Sequence, residues 1–116
     1  MSAPFMLPAE RERLLANGRA SARGEEIDPL PVVKLFTPDA NATWLLSELD
    51  PEDPGIAFGL CDLGLGSPEL GYLSLAELVG VRGFLGLPIE RDEHFRPDKP
   101  LSAYAADARR QGRVVA

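Results

Sequence analysis

The chain is poor in the residues from which most catalytic sites are built. Its 116 residues include one histidine, His94, and one cysteine, Cys61. A Ser–His–Asp or Cys–His pair would have to use His94 alone. A single cysteine excludes an internal disulfide, whereas a secreted domain of this size often carries several. Long apolar runs are missing too. No stretch approaches the roughly 18 apolar residues of a membrane span. Met1 to Leu7 has neither the basic segment nor the apolar run of a signal peptide. Cys61 lies mid-chain, so it is no N-terminal lipid anchor. Together these absences imply a cytoplasmic protein. The phosphate-loop, G-x-S-x-G, H-E-x-x-H, C-x-x-C and EF-hand patterns are absent. Gly64-Leu65-Gly66 lacks the third glycine and the following helix of a dinucleotide fingerprint, and reads as a turn.

Basic residues are scarce in the middle of the chain. Twelve Lys and Arg stand against 18 Asp and Glu, for a net charge of −6. Residues 25–98 hold only Lys34, Arg82, Arg91 and Arg96 against 15 acids, a balance of −11. Residues 1–24 carry +2 and residues 99–116 carry +3. An N-terminal helix and linker (1–24), an acidic core (25–98) and a C-terminal helical tail (99–116) follow from this division. The acidic body repels nucleic-acid phosphates, which disfavours direct DNA binding. Arg109, Arg110 and Arg113 alone supply little phosphate affinity.

Local signals outline the elements. Pro8 to Asn17 reads as a helix, with Glu10 and Glu12 near its positive end and Asn17-Gly18 as its stop. Leu7, Leu14 and Leu15 share one face of it. Residues 18–30 read as a polar linker. Strands are expected at 32–37, 43–49, 56–62 and 69–73, the first two joined by the turn Pro38-Asp39-Ala40-Asn41. Ser74 and Glu77 form a capping box for a short helix to Val79. Gly80, Gly83 and Gly86 mark a flexible loop to Pro88. Ile89 to Phe95 reads as a fifth, edge strand whose charges discourage pairing with another chain. Leu101 to Gln111 reads as a last helix, with Ser102 at its cap and Gly112 at its end. Its apolar face of Leu101, Ala105 and Ala108 is thin, which predicts weak docking. The order implies a small α+β domain, with an antiparallel sheet of four to five strands and two or three short helices on one side.

The densest polar stretch is Ile89-Glu90-Arg91-Asp92-Glu93-His94-Phe95. On a strand, Glu90, Asp92 and His94 share one face. These are metal-ligand and acid–base types, which makes them the catalytic candidates. A solvated edge gives the same pattern, so neither metal nor cofactor is assigned. Arg91 between two acids suits a bidentate structural ion pair, and its loss is expected to destabilise the domain. Asp39, Asn41, Trp44 and Arg91 are the binding candidates. Trp44 with Phe36 and Phe58 suits either a stacking surface or a core. Asp50-Pro51-Glu52-Asp53 does not match a calcium loop and reads as a solvated turn. Cys61, in Phe58-Gly59-Leu60-Cys61, reads as a buried thiol.

Several motifs, in order, resemble one family. Val33 to Trp44 (VKLFTPDANATW) is similar to the VKFFTPDANATW opening of a bacterial domain-of-unknown-function family, number 2958. Phe58 to Gly64 resembles its FGxCDLG step, Glu69 to Leu78 its ELGYxSLxEL block, and Pro88 to Asp92 with Phe95 its PIERDxxF close. Leu14 to Gly18 is also typical. The Asp50–Gly55 loop is shorter than is common in the family, and His94 stands where an aromatic such as tyrosine is usual. The resemblance implies a bacterial protein associated with plasmids and other mobile elements, with no established activity. The expected function is a non-catalytic binding or interaction module acting on another bacterial protein. The alternatives are an acidic decoy of a DNA-binding defence protein, and a metal-dependent hydrolase using Glu90 and Asp92.

Overall fold

The β-branched and aromatic run at Val33–Phe36 (β1) folds back on Thr43–Leu49 (β2) as an antiparallel hairpin, with Val33 opposite Leu46 and Phe36 opposite Thr43. Thr37 closes the turn between them: its hydroxyl accepts the Ala42 N–H at 3.0 Å. Ile56–Asp62 (β3) pairs with β2, and Glu69–Ser74 (β4) pairs with β3, both antiparallel. Glu90–Arg91 (β5) pairs with β1, giving a five-stranded sheet in the order β4-β3-β2-β1-β5. The helices are α1 (Pro8–Ala22), α2 (Leu75–Val79) and α3 (Leu101–Gln111). These assignments come from a computed structural model that describes residues 5–116; the first four residues of the 1–24 segment lie outside the described residues. The α+β class and the antiparallel sheet are those the sequence implies.

Alternation along the strands sorts apolar side chains onto two faces. Trp44, Leu46 and Leu49 of β2 join Val33, Leu35 and Ala57 under Leu14, Leu15, Leu75 and Leu78 of α1 and α2. Leu45 and Leu60 point the other way and meet Leu101, Tyr104, Ala105 and Ala108 of α3. The expectation that all helices lie on one side is therefore corrected. Both faces of the central strands are apolar, and each needs a cover. The expectation of weak α3 docking is corrected as well. Tyr104 completes its face, and its hydroxyl lies 3.1 Å from Asp98 Oδ1.

The helix α1 runs five residues past the expected stop at Asn17-Gly18. Tertiary contacts override the local signal there. A bulge at Leu46–Glu48 of β2 frees the Ser47 carbonyl, which accepts from Asn17 Nδ2 at 2.9 Å. A Cβ on Gly18 would overlap the Leu49 carbonyl, so glycine permits the close approach of helix to strand. Leu7, expected on the apolar face, is exposed. The start of α3 is capped from outside rather than by Ser102. Asp28 accepts both the Ser102 N–H, at 3.1 Å, and the Ser102 hydroxyl. Among the described residues no helix is long and apolar enough to cross a membrane.

Candidate functional site

The expected fifth strand is two residues long, not seven. The Asp92 carboxylate accepts the His94 N–H at 2.8 Å, which bends the chain out of the sheet. Glu90, Asp92 and His94 therefore do not line one strand face, and Glu90 and His94 are exposed. Asp92 Oδ2 lies 3.4 Å from Lys34 Nζ. Burial alone would raise the Asp92 carboxyl; the His94 N–H bond and the Lys34 charge outweigh it and hold the group below its ordinary value. Among the described residues no three His, Cys, Asp or Glu side chains converge as a metal site. Arg91 does not pair with its sequence neighbours. It reaches Glu10 of α1 at 3.5 Å, both side chains being mostly buried, and Glu10 also accepts the Leu7 N–H at 2.8 Å. Arg91 thus ties the sheet edge to the start of α1.

Trp44 is buried in the core under α1. Cys61 is half-buried; burial chiefly, and then the nearby Glu69 charge, raises its thiol above the ordinary value, which makes it a poor nucleophile. Asp53 and Glu52 are exposed, and the Asp50 and Asp53 carboxylates accept N–H groups two residues on, at 2.9 and 3.3 Å. They lie at the sheet end opposite to Glu90, because Leu49 and Ala57 pair at one end while Thr43, Asp62 and the Phe36–Glu90 pair mark the other. Glu52 and Asp53 thus lie at one end of the sheet and Glu90 at the other.

Asp39 and Asn41 bring three loops together at the Phe36–Thr43 end. Asp39 is 7% exposed, and its Oδ2 accepts the N–H of Leu85 at 2.8 Å and of Leu87 at 3.2 Å. Its Oδ1 has no N–H or O–H partner and faces the Cα hydrogens of Gly83; a Cβ on Gly83 would overlap the carboxylate. The stretch expected to be a flexible loop is instead a miniature hairpin. Gly86 N–H bonds to the Gly83 carbonyl at 2.9 Å, Gly83 N–H to the Leu87 carbonyl at 3.1 Å, and Arg82 bridges to Pro88. Gly86 takes φ +82°, which a side chain would resist. The tip of this hairpin holds Phe84 and Leu85 outward, 85% and 70% exposed. On the neighbouring loop Leu63 and Leu65 are also exposed, Leu65 at 82%. That loop turns at Gly64, which packs against Asn41. Sequence reading missed these residues. The signal was present: two large apolar side chains between glycines in Gly83-Phe84-Leu85-Gly86 are unusual in a turn.

Beside this end lies a groove of about 680 Å³, lined by Lys34, Phe36, Asn41, Asp62, Asp92 and Arg113 among others. The chain after α3 forms one wall. Asp62 Oδ2 accepts the Val114 N–H at 2.9 Å, and Lys34 Nζ donates to the main-chain oxygen of Ala116 at 2.7 Å. Asp62 is thus engaged within the groove, and Lys34 is shared between Asp92 and Ala116.

No curated protein and no solved structure is recognisably similar to the chain. A family model described as "Protein of unknown function (DUF2958)" matches residues 5–115, so the chain belongs to that family.

Proposed function

We propose that the chain is a non-catalytic interaction module that docks an apolar surface of another bacterial protein with its 82–88 hairpin. One observation carries this reading: the buried Asp39 carboxylate holds the hairpin so that Phe84 and Leu85 stand in solvent. Apolar side chains gathered on a surface mark protein contacts. An aromatic anchor that is already ordered loses less entropy on binding, and anchors of this kind dominate interface energies. Leu87, in the same hairpin, is also exposed. The acid–base candidates are less suited to chemistry: Asp92 is tied to Lys34 and to the His94 N–H, and Glu90 and His94 stand apart in solvent. An acidic decoy needs its carboxylates on one surface, and Glu52 and Asp53 lie at the sheet end opposite to Glu90. The mobile-element setting implied by the motif resemblance belongs to this proposal as the origin of the module.

The test compares the parent chain with Phe84→Ser/Leu85→Ser in affinity capture from a bacterial lysate, read by quantitative mass spectrometry. Both side chains point outward, so the melting temperature should be unchanged. The expected result is a protein captured by the parent and lost with the variant. Identical capture by both overturns the reading.

A further inference from the structure

The two edges of the sheet are built differently. At one edge β5 is two residues long and both are charged. At the other edge β4 runs for six residues, Glu69-Leu70-Gly71-Tyr72-Leu73-Ser74. It carries one charge, no lysine and no proline. Among the described residues no main-chain group bonds to its outer side. Alternate N–H and C=O groups along that side are therefore left to solvent. A long, nearly uncharged edge of this kind is a template for another strand.

Its side chains fit an added strand as well. Leu70 and Tyr72 pair with Leu60 and Phe58 of β3, so they lie on the face covered by α3. The helix α3 packs over Leu45 and Leu60 and leaves this margin bare. Tyr72 is 75% exposed and sets its ring edge-on to Phe58, with centroids 5.0 Å apart. Nothing lies within 4 Å of where a Cβ on Gly71 would stand.

We propose that the outer edge of β4 pairs antiparallel with β4 of a second copy of this chain, about a twofold axis at Gly71. The strand is self-complementary in that register. Side chains directly opposed across an antiparallel pair share a face. With Gly71 opposite Gly71, Leu70 of each copy meets Tyr72 of the other on the α3 face. Glu69 of each copy meets Leu73 of the other on the opposite face. The only charge on the strand thus faces an apolar side chain, not its own copy. The four Leu70 and Tyr72 side chains close into one apolar strip beside the two Phe58 rings. The two sheets become one continuous sheet, and the interface is isologous, as a twofold dimer requires.

The test uses the full chain. Sedimentation equilibrium over a concentration series should give twice the chain mass for the parent. Leu70→Lys/Tyr72→Lys should return a monomer with unchanged circular dichroism. If that variant fails to fold, Gly71→Cys in a Cys61→Ala background gives a second reading. Cα atoms directly opposed in an antiparallel pair lie about 4.5–5.5 Å apart, within disulfide reach. Mild oxidation should therefore link two copies through position 71. A parent that is monomeric at every concentration overturns the proposal. So does a dimer that forms equally well with the two lysines in place, or an oxidised Gly71→Cys chain that remains unlinked. Protection of the β4 amides that appears only with a different protein would assign the edge to a foreign strand, and also overturns self-pairing. Phe84→Ser/Leu85→Ser should dimerise like the parent, because neither residue belongs to β4.

Discussion

The two ends of the sheet use the same residue type for different work. At the Leu49–Ile56 end, Asp50 and Asp53 accept N–H groups two residues ahead and shape a local, exposed turn. At the Phe36–Thr43 end, Asp39 and Asp62 reach across the chain. Asp39 holds Leu85 and Leu87, more than 40 residues away, and Asp62 holds both Gly64 and Val114. Both of these carboxylates are buried. An exposed carboxylate trades one hydrogen bond for another with water and contributes little. A buried one leaves N–H groups unsatisfied when it is removed. The acidity of the chain therefore says less than the burial of particular acids.

Substitutions can break this contrast, and the largest effect is expected at Gly83. Gly83→Ala drives a methyl group into the Asp39 carboxylate. A loss of about 3 kcal/mol is expected from overpacking and from displacing a buried anchor. In an Asp39→Ala background the same change should cost much less, since the clash is gone. Chemical denaturation of the four chains measures both. A full-sized Gly83→Ala effect in that background would show that the contact with Asp39 is not the cause.

Asp39→Ala and Asp62→Ala come next, each at about 1–3 kcal/mol, because each strands two N–H groups. Hydrogen exchange should open residues 83–87 in the first variant and 112–114 in the second. Exchange unchanged in those segments would contradict the anchoring role. Arg91→Ala is expected to lower stability by about 1 kcal/mol, as a mostly buried but single-contact ion pair allows. Thermal melting reads this, and a parent-like value contradicts it. Asp53→Ala, at the other end, should stay within about 0.5 kcal/mol of the parent. A loss as large as that of Asp39→Ala would erase the contrast between the ends.

Acid titration sharpens the same point at Asp92. Its folded-state pKa is lowered, so its contribution is present above the unfolded carboxylate value of about 3.9 and is lost as pH falls through the folded value. Asp92→Asn should therefore narrow the gap between melting temperatures at neutral and strongly acidic pH. An unchanged gap would mean that the Lys34 contact adds no stability.

Short-range chemistry was legible wherever it met no competitor. The bounds of β2, β3, α2 and α3 follow from apolar stretches set between turn residues, from the Ser74 cap, whose hydroxyl accepts the Glu77 N–H at 3.3 Å, and from Gly112 at φ +74°. The edge position of the Glu90–Arg91 segment was legible from its charges. Asn17-Gly18 misled because its glycine serves a helix–strand contact and not a helix end. Ile89 to Phe95 misled because the Asp92 side chain bends a segment that alternation would have kept straight. Asp39 and Asn41 stood out within a turn, but their neighbours did not. The partners of Asp39 lie more than 40 residues downstream, and no local pattern couples positions so far apart.

The sequence by itself determined the element types and the antiparallel pairing of the successive strands, because propensity and turn chemistry act over a few residues. Only the tertiary structure decided that α3 covers the second face, that Arg91 pairs with Glu10, and that Asp39 and Gly83 set the hairpin bearing Phe84 and Leu85. Each of these depends on burial, and burial exists only once distant segments have been packed together.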